Sequence, residues 1–120
     1  MKLQILRDSF SVCKVNDYSQ IDFNQDYLFT SKTPDEYSLV CPSHLIPSNV
    51  ITYENGWRGF YLSGILDFSL VGILAKIANI LALHKISIFV VSTFNTDYIF
   101  VKEENFETAL TLLKEEGYQW

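Results

Sequence analysis

The sequence predicts an α+β fold in which an antiparallel sheet carries helices on one face. Short segments rich in β-branched and aromatic residues recur along the 120 residues and are bounded by Gly, Pro, Asn or Asp. Two longer segments in the second half have apolar residues at helical spacing. Apolar residues make up 48% of the chain and charged residues 19%, a composition that excludes intrinsic disorder.

The strand prediction covers both halves of the chain. In order, the predicted strands are Leu3–Leu6, Ser9–Val15, Tyr27–Thr33, Tyr37–Cys41, a short edge strand Val50–Tyr53, Trp57–Ser63, Ile86–Thr93 and Tyr98–Lys102. The polar segment Asn16–Gln25 and the proline-containing segment Pro42–Asn49 connect some of them. Because neither has the length or composition of an interdomain linker, we expect residues 1–120 to form a single body.

Two helices are predicted in the second half. The first begins at Phe68 and ends at His84, and Asp67 is placed to accept from free backbone N–H groups as its N-cap. It is apolar around most of its circumference, which indicates cover on more than one side. The second helix covers about Glu103–Glu116 and is stopped by Gly117.

The order of elements over Trp57–Gly117 is therefore strand, helix, strand, strand, helix. This βαββα order lacks one strand of the ferredoxin-like βαββαβ unit. The missing strand either comes from the N-terminal half, or the sheet edge stays open for a partner.

The N-terminal half contains a degenerate copy of part of the C-terminal half. Ser31–Val40 and Ser92–Val101 share a serine, an acidic–aromatic pair and a closing valine at a constant offset of 61 residues. We interpret residues 1–55 as a degenerate half-unit and residues 56–120 as a complete βαββα half-unit, in tandem and sharing one core.

Charge and hydropathy exclude several classes of partner. The formal net charge of −5 argues against binding to nucleic acid and to anionic membrane surfaces. The longest apolar stretch, Phe68–Leu83, contains Lys76 and is too short for a membrane span, and the N-terminus has no signal-peptide pattern. We therefore expect a cytoplasmic protein.

No residue pattern predicts catalysis. Cys13 and Cys41 are isolated in apolar strands and are expected to be small buried thiols. His44 and His84 lack acids or cysteines at metal-ligand spacing. Phosphate-binding loops and nucleophile motifs are missing. We expect neither a catalytic residue, nor a metal, nor a cofactor.

Two long motifs resemble a known family. They run from Trp57-Arg58-Gly59-Phe60 through Gly64–Leu74, and over Ile86–Tyr98, with further similarity at Thr33–Pro42. Together they resemble the ACT-domain family that also contains the CASTOR arginine sensors, in its small stand-alone bacterial form. The resemblance implies tandem ACT-like halves, assembly into a homodimer, and a small effector, usually an amino acid, bound where two ACT units meet.

The resemblance places the ligand pocket between the loops Gly64–Leu70 and Thr93–Asp97. A site for a zwitterionic amino acid needs hydrogen-bond donors for its carboxylate beside acceptors for its ammonium group. Free N–H groups at a helix start supply the donors. The candidate ligand-binding residues are Asp67, Phe68, Ser69, Leu70, Thr93, Phe94, Asn95, Thr96 and Asp97. The alternative interpretation is that Asp67 is a plain N-cap and that Asn95-Thr96-Asp97 is ordinary hairpin-turn chemistry.

Three functions are therefore open. The first is a regulatory protein that binds an amino-acid-type effector and acts through a separate effector protein. The second is a ligand-free homodimerisation module, in which the strand edge and the apolar helix form the interface. The third is a small enzyme on a ferredoxin-like scaffold, since that fold carries many unrelated activities.

Overall fold

The computed structural model describes residues 2–62 and 72–120. Its elements are β1 (Leu3–Ile5), β2 (Phe10–Val15), β3 (Phe29–Lys32), β4 (Tyr37–Pro42), a 3-10 helix (Ser43–Leu45), β5 (Val50–Leu62), α1 (Ile73–Leu83), β6 (Ile88–Ser92), β7 (Asp97–Lys102) and α2 (Glu103–Glu115). The predicted α+β class, with an antiparallel sheet and two helices, is confirmed.

The chain forms two units that do not coincide with the predicted halves. Met1–Arg7 and Arg58–Trp120 form one, here called the helical unit, and Asp8–Trp57 forms the other, here called the inserted unit. The predicted halves, 1–55 and 56–120, differ from these units chiefly in where residues 1–7 belong. That the N-terminal half is a degenerate copy stays a prediction.

The sheet of the helical unit is completed by the N-terminal strand. Its strand order is β1-β5-β7-β6. β1 pairs antiparallel with β5, with Leu3 opposite Leu62 and Ile5 opposite Phe60. The fourth strand that the βαββα order lacks is therefore β1, which comes from the N-terminal half of the chain.

Both helices cover the same face of this sheet. The buried side chains between sheet and helices come from β1, β5 and β7 and from α1, α2 and the segments beside them: Leu3, Phe60, Leu62, Ile77, Leu81, Ile86, Ile99, Val101, Phe106, Ala109, Leu110, Leu113 and Tyr118. Alternate residues of each strand face this core because successive side chains of a strand point to opposite sides. The predicted apolar stripe of α2 (Phe106, Ala109, Leu110 and Leu113) is buried throughout.

On the opposite face of the sheet, an aromatic ring lies against the backbone of β5. A Cβ atom at Gly59 would be 2.6 Å from Cε1 of Phe100, so only glycine leaves room for this ring. Phe100 is fully buried and stacks on Phe89, with ring centroids 4.8 Å apart. Gly59 therefore fixes how closely the Phe100 ring approaches β5.

The inserted unit repeats the strand order with other connections. Its order is β3-β4-β2-β5, and every pairing is antiparallel. In the inserted unit β2 thus lies between β4 and β5, as β5 lies between β7 and β1 in the helical unit. Residues 8–57 contain no α-helix; the connections are an irregular segment, residues 16–28, and the 3-10 helix with the residues after it.

Irregular segments cover the core of the inserted unit. Cys13, Val15, Leu39 and Cys41 are buried on one face of its sheet, which confirms the expectation for both cysteines. Partly buried side chains from both connections pack against them, chiefly Tyr18, Ile21, Leu28, Leu45 and Ile46.

The two hairpins, β3–β4 and β6–β7, close in the same way. Thr33 N donates to Glu36 O at 3.0 Å, and Thr93 N donates to Thr96 O at 2.8 Å. Lys32 is opposite Tyr37, and Ser92 is opposite Asp97, so the turns correspond at an offset of 60 residues. The sequence comparison gives an offset of 61, one position more, because it aligns similar residue types rather than the turns.

The predicted strands Val50–Tyr53 and Trp57–Ser63 form one continuous strand through Leu62. The Asn55-Gly56 pair between them lies in a β-bulge. Phe10 is opposite Trp57 and Val12 is opposite Glu54, so β5 has one residue more than β2 at this point. Gly56 has φ of 83°, which glycine adopts without strain.

The first helix starts later than predicted. Gly72 precedes it with φ of 85°, in the left-handed region, and a right-handed helix cannot run through that residue. α1 therefore begins at Ile73 rather than Phe68, and its last residue is Leu83, with the predicted end, His84, as its C-cap. Among the described residues, no helix combines the length and apolar character that a membrane crossing needs.

Candidate functional site

The β6–β7 loop carries five of the nine candidate residues. Thr93 N and Oγ1 both donate to Thr96 O, at 2.8 and 3.1 Å. In return, Thr96 N donates to Thr93 Oγ1 at 3.3 Å. These bonds are ordinary turn chemistry, and they hold the backbone of the loop in one conformation.

Thr96 ties this loop to the end of β5. Its side chain is buried, and its Oγ1 donates to Leu62 O at 3.3 Å. Leu62 is the last described residue before the second candidate loop, Gly64–Leu70. The β6–β7 loop is therefore fixed beside the end of β5, the strand that the second candidate loop follows in sequence.

Asp97 contributes a carboxylate to this loop, and Phe94 contributes an aromatic ring. Ser92 Oγ donates to Asp97 Oδ1 at 2.5 Å, which orients the carboxylate at the start of β7. Phe94 is 83% exposed, and Asn95 is also exposed. Both side chains are therefore accessible at this loop.

The other four candidates, Asp67, Phe68, Ser69 and Leu70, lie outside the described residues. The N–H groups expected at the helix start belong instead to Ile73, Leu74 and Ala75, since Lys76 N already donates to Gly72 O at 2.9 Å. The role of Ser69 and Leu70 as carboxylate donors stays a prediction, because both lie outside the described residues.

We expect Thr96→Val to lower the free energy of unfolding by about 1 kcal/mol, because it removes a buried hydroxyl donor and leaves the shape of the side chain unchanged. Urea denaturation of the wild type, Thr96→Val and Thr96→Ser measures this. Thr96→Ser keeps the donor and is expected to lose less than Thr96→Val. An equal loss in both variants would contradict a role for the bond to Leu62 O.

Cavities also occur where the sequence singled out no site. One of about 450 Å³ is lined by residues near the end of α2: Lys114, Gly117, Tyr118, Gln119 and Trp120. A second, of about 300 Å³, lies in the inserted unit between residues 20–28 and 44–48. Neither set of lining residues forms a recognised motif, so tertiary packing alone reveals these cavities.

The two buried thiols share a hydrogen bond that shifts their pKa values in opposite directions. It raises the pKa of the Cys41 thiol, together with burial, and lowers the pKa of the Cys13 thiol. His84 Nδ1 lies 3.1 Å from Ile80 O at the end of α1, and His44 is exposed. Among the described residues, no group of three or more His, Cys, Asp or Glu side chains could hold a metal ion.

Residues 52–115 match the protein family described as ACT domain. No curated protein matches this chain. The chain is 30% identical to the Agobacterium tumefaciens protein Atu0741, whose crystal structure it matches with a TM-score of 0.85 over 98% of this chain and 90% of that chain.

More distant structures share the fold alone. The Vibrio cholerae protein VC0802, described as a possible transport protein, is 24% identical, with a TM-score of 0.67 over 92% of this chain and 85% of that one. The regulatory subunit of aspartate kinase from Thermus thermophilus is 12% identical, with a TM-score of 0.62 over 94% of this chain and 95% of that one.

Proposed function

The chain belongs to the ACT domain family, and from that premise we propose that it is a non-enzymatic, cytoplasmic regulatory protein. In this proposal it binds an amino-acid-type effector where two ACT units meet. A kinship with the CASTOR arginine sensors is part of the same proposal. The observation that carries it is the hydrogen bond from Thr96 Oγ1 to Leu62 O, since it fixes one candidate loop beside the strand that leads to the other.

The groups available at these loops suit a zwitterion. α1 begins eleven residues after Leu62, and its first amide groups lack partners within the helix. Such groups favour a carboxylate. The Asp97 carboxylate, oriented by Ser92, and the Asn95 side chain are acceptors for an ammonium group.

A second copy of the chain supplies one wall of the site in this proposal. Phe94 is 83% exposed, and β6 is the last strand in the order β1-β5-β7-β6. A homodimer that covers this loop turns an exposed ring into the side of a cleft. The effector would then bias the geometry of the dimer, and a separate effector protein would respond to that change.

The test is a thermal-shift screen of the protein against the twenty amino acids. An amino acid at 100 times its dissociation constant is expected to stabilise the native state by about 2.7 kcal/mol, a shift of about 10 °C in Tm for a domain of this size. We expect Asp97→Ala and Asp97→Asn to abolish the shift.

Asp35→Ala is the matched control, because Asp35 lies in the equivalent loop of the β3–β4 hairpin. It should keep the full shift caused by the amino acid. Each variant is compared with its own ligand-free Tm, so that a loss of stability is not mistaken for a loss of binding. Equal losses in Asp35→Ala and Asp97→Ala would overturn the assigned site.

The second candidate is a ligand-free assembly module. Leu83, at the end of α1, is 73% exposed, and Phe94 is more exposed still, which favours surfaces that another copy covers. Light scattering decides between the two. A stable dimer without a shift from any amino acid would support the assembly module and contradict the effector proposal.

A further inference from the structure

The cavity of the inserted unit exists because its connections are not helices. In the helical unit, α1 and α2 cover the sheet. The inserted unit has the same strand order, but residues 16–28 and the segment that begins with the 3-10 helix replace the helical cover. A cavity of about 300 Å³ remains between these two segments, above Leu39.

Apolar and polar side chains both line this cavity. Leu39 lines it from β4, Leu28 from the first connection and Ile46 from the second. The polar residues that line it are Gln20, Asp22, Gln25, His44 and Ser48. Small-molecule sites likewise combine apolar side chains with polar groups.

The charge of the cavity is set by one carboxylate. Asp22 Oδ1 accepts from Asn24 N at 3.0 Å, and Oδ2 lies 3.4 Å from Gln25 Nε2. These donors lower the pKa of Asp22, which is therefore ionised at neutral pH. Neither Lys nor Arg is among the described residues that line the cavity.

The surrounding unit reinforces this charge. Residues 8–57 contain seven acidic and two basic residues, a formal charge of −5 that equals the net charge of the whole chain. A negative unit attracts cations and repels carboxylates.

We propose that this cavity binds a small organic cation, a protonated amine on an apolar body, with the ammonium group on Asp22 and the apolar part against Leu28, Leu39 and Ile46. The volume equals about ten water molecules, which suits a ligand of about that many non-hydrogen atoms. The site lies in the inserted unit and goes beyond the proposed effector site at the β6–β7 loop.

The experiment is an NMR titration of the full chain with 2-phenylethylammonium and with hexylammonium. We expect saturable shifts of the amide resonances of residues 20–28, 44–46 and 48, with a dissociation constant below about 1 mM for at least one of the two amines. We expect 2-phenylethanol, which has no charge, and phenylalanine, whose carboxylate would face Asp22, to bind at least about tenfold more weakly.

Asp22→Asn and Asp17→Asn form a matched pair of variants. Both aspartates accept from the backbone N–H two residues ahead, Asp17 from Ser19 and Asp22 from Asn24, but only Asp22 lines the cavity. Asparagine keeps this acceptor, so both variants should retain the fold. Asp22→Asn is expected to weaken amine binding by about tenfold, and Asp17→Asn by less than about twofold.

Three results would overturn the proposal. The first is that neither amine gives saturable shifts in these segments. The second is equal weakening by the two variants, which would mean attraction to the charge of the unit rather than a site. The third is binding of 2-phenylethanol or phenylalanine as strong as that of the amines.

Discussion

Phe60→Ala is expected to lower the free energy of unfolding by about 3–5 kcal/mol. Phe60 is fully buried, lies opposite Ile5 in the pairing of β1 with β5, and belongs to the core beneath both helices. Removing its ring loses the transfer free energy of the buried atoms and leaves a cavity that the surrounding side chains fill only in part. For a domain of ordinary stability this is a large share of the total.

Urea denaturation followed by circular dichroism measures this loss. Phe94→Ala is the control, since it deletes the same ring from a side chain that is 83% exposed, and its expected cost is below about 0.5 kcal/mol. Phe60→Leu should fall between the two, because it keeps most of the buried volume. Similar losses in Phe60→Ala and Phe94→Ala would contradict the described core.

Gly59→Ala is expected to cost about 2–3 kcal/mol, although alanine adds only one methyl group. The new Cβ would lie 2.6 Å from Phe100 Cε1, 2.7 Å from Phe100 Cδ1 and 3.3 Å from Leu6 Cδ1. The Phe100 ring cannot simply move away, because it is fully buried and stacked on Phe89. The cost therefore comes from displaced packing.

A double-mutant cycle with Phe100→Leu isolates this clash. Removing the ring should make Gly59→Ala at least about 1 kcal/mol less costly than in the wild-type background. Gly117→Ala is a useful contrast, since its Cβ meets nothing within 4 Å and its cost arises from φ of 94°. That cost should not change with Phe100→Leu. Additivity between Gly59→Ala and Phe100→Leu would mean that the ring does not limit residue 59.

The strands and α2 could be predicted because their patterns are local. The β-branched and aromatic residues of the strands, and the apolar stripe of α2, are properties of a few neighbouring residues. Asn55-Gly56 was interpreted as a break between strands because the same pair suits a turn and a bulge with positive φ. Only the partner strand, where Phe10 and Val12 face Trp57 and Glu54, distinguishes the two.

The site was harder to predict than the fold. The hairpin loop could be found from Asn95-Thr96-Asp97, but the bond from Thr96 to Leu62 joins residues 34 positions apart and has no local signature. The start of α1 was placed too early because apolar spacing continues through Gly72, whose left-handed φ is not visible in that pattern. The cavity above Leu39 depends on connections that lack any helical pattern.

The pairing of β1 with β5 has a consequence for how the chain folds. Ile5 and Phe60 are separated by 54 residues in sequence, a long loop to close. Within the inserted unit, however, Phe10 pairs with Trp57. Once that pair has formed, eight residues rather than 54 separate Ile5 from Phe60, which lowers the entropic cost of closure by about 2 kcal/mol. The inserted unit thus brings the ends of β1 and β5 close together, so that their pairing becomes nearly local. The folding order with the lowest entropic cost is therefore the inserted unit first and the helical unit second.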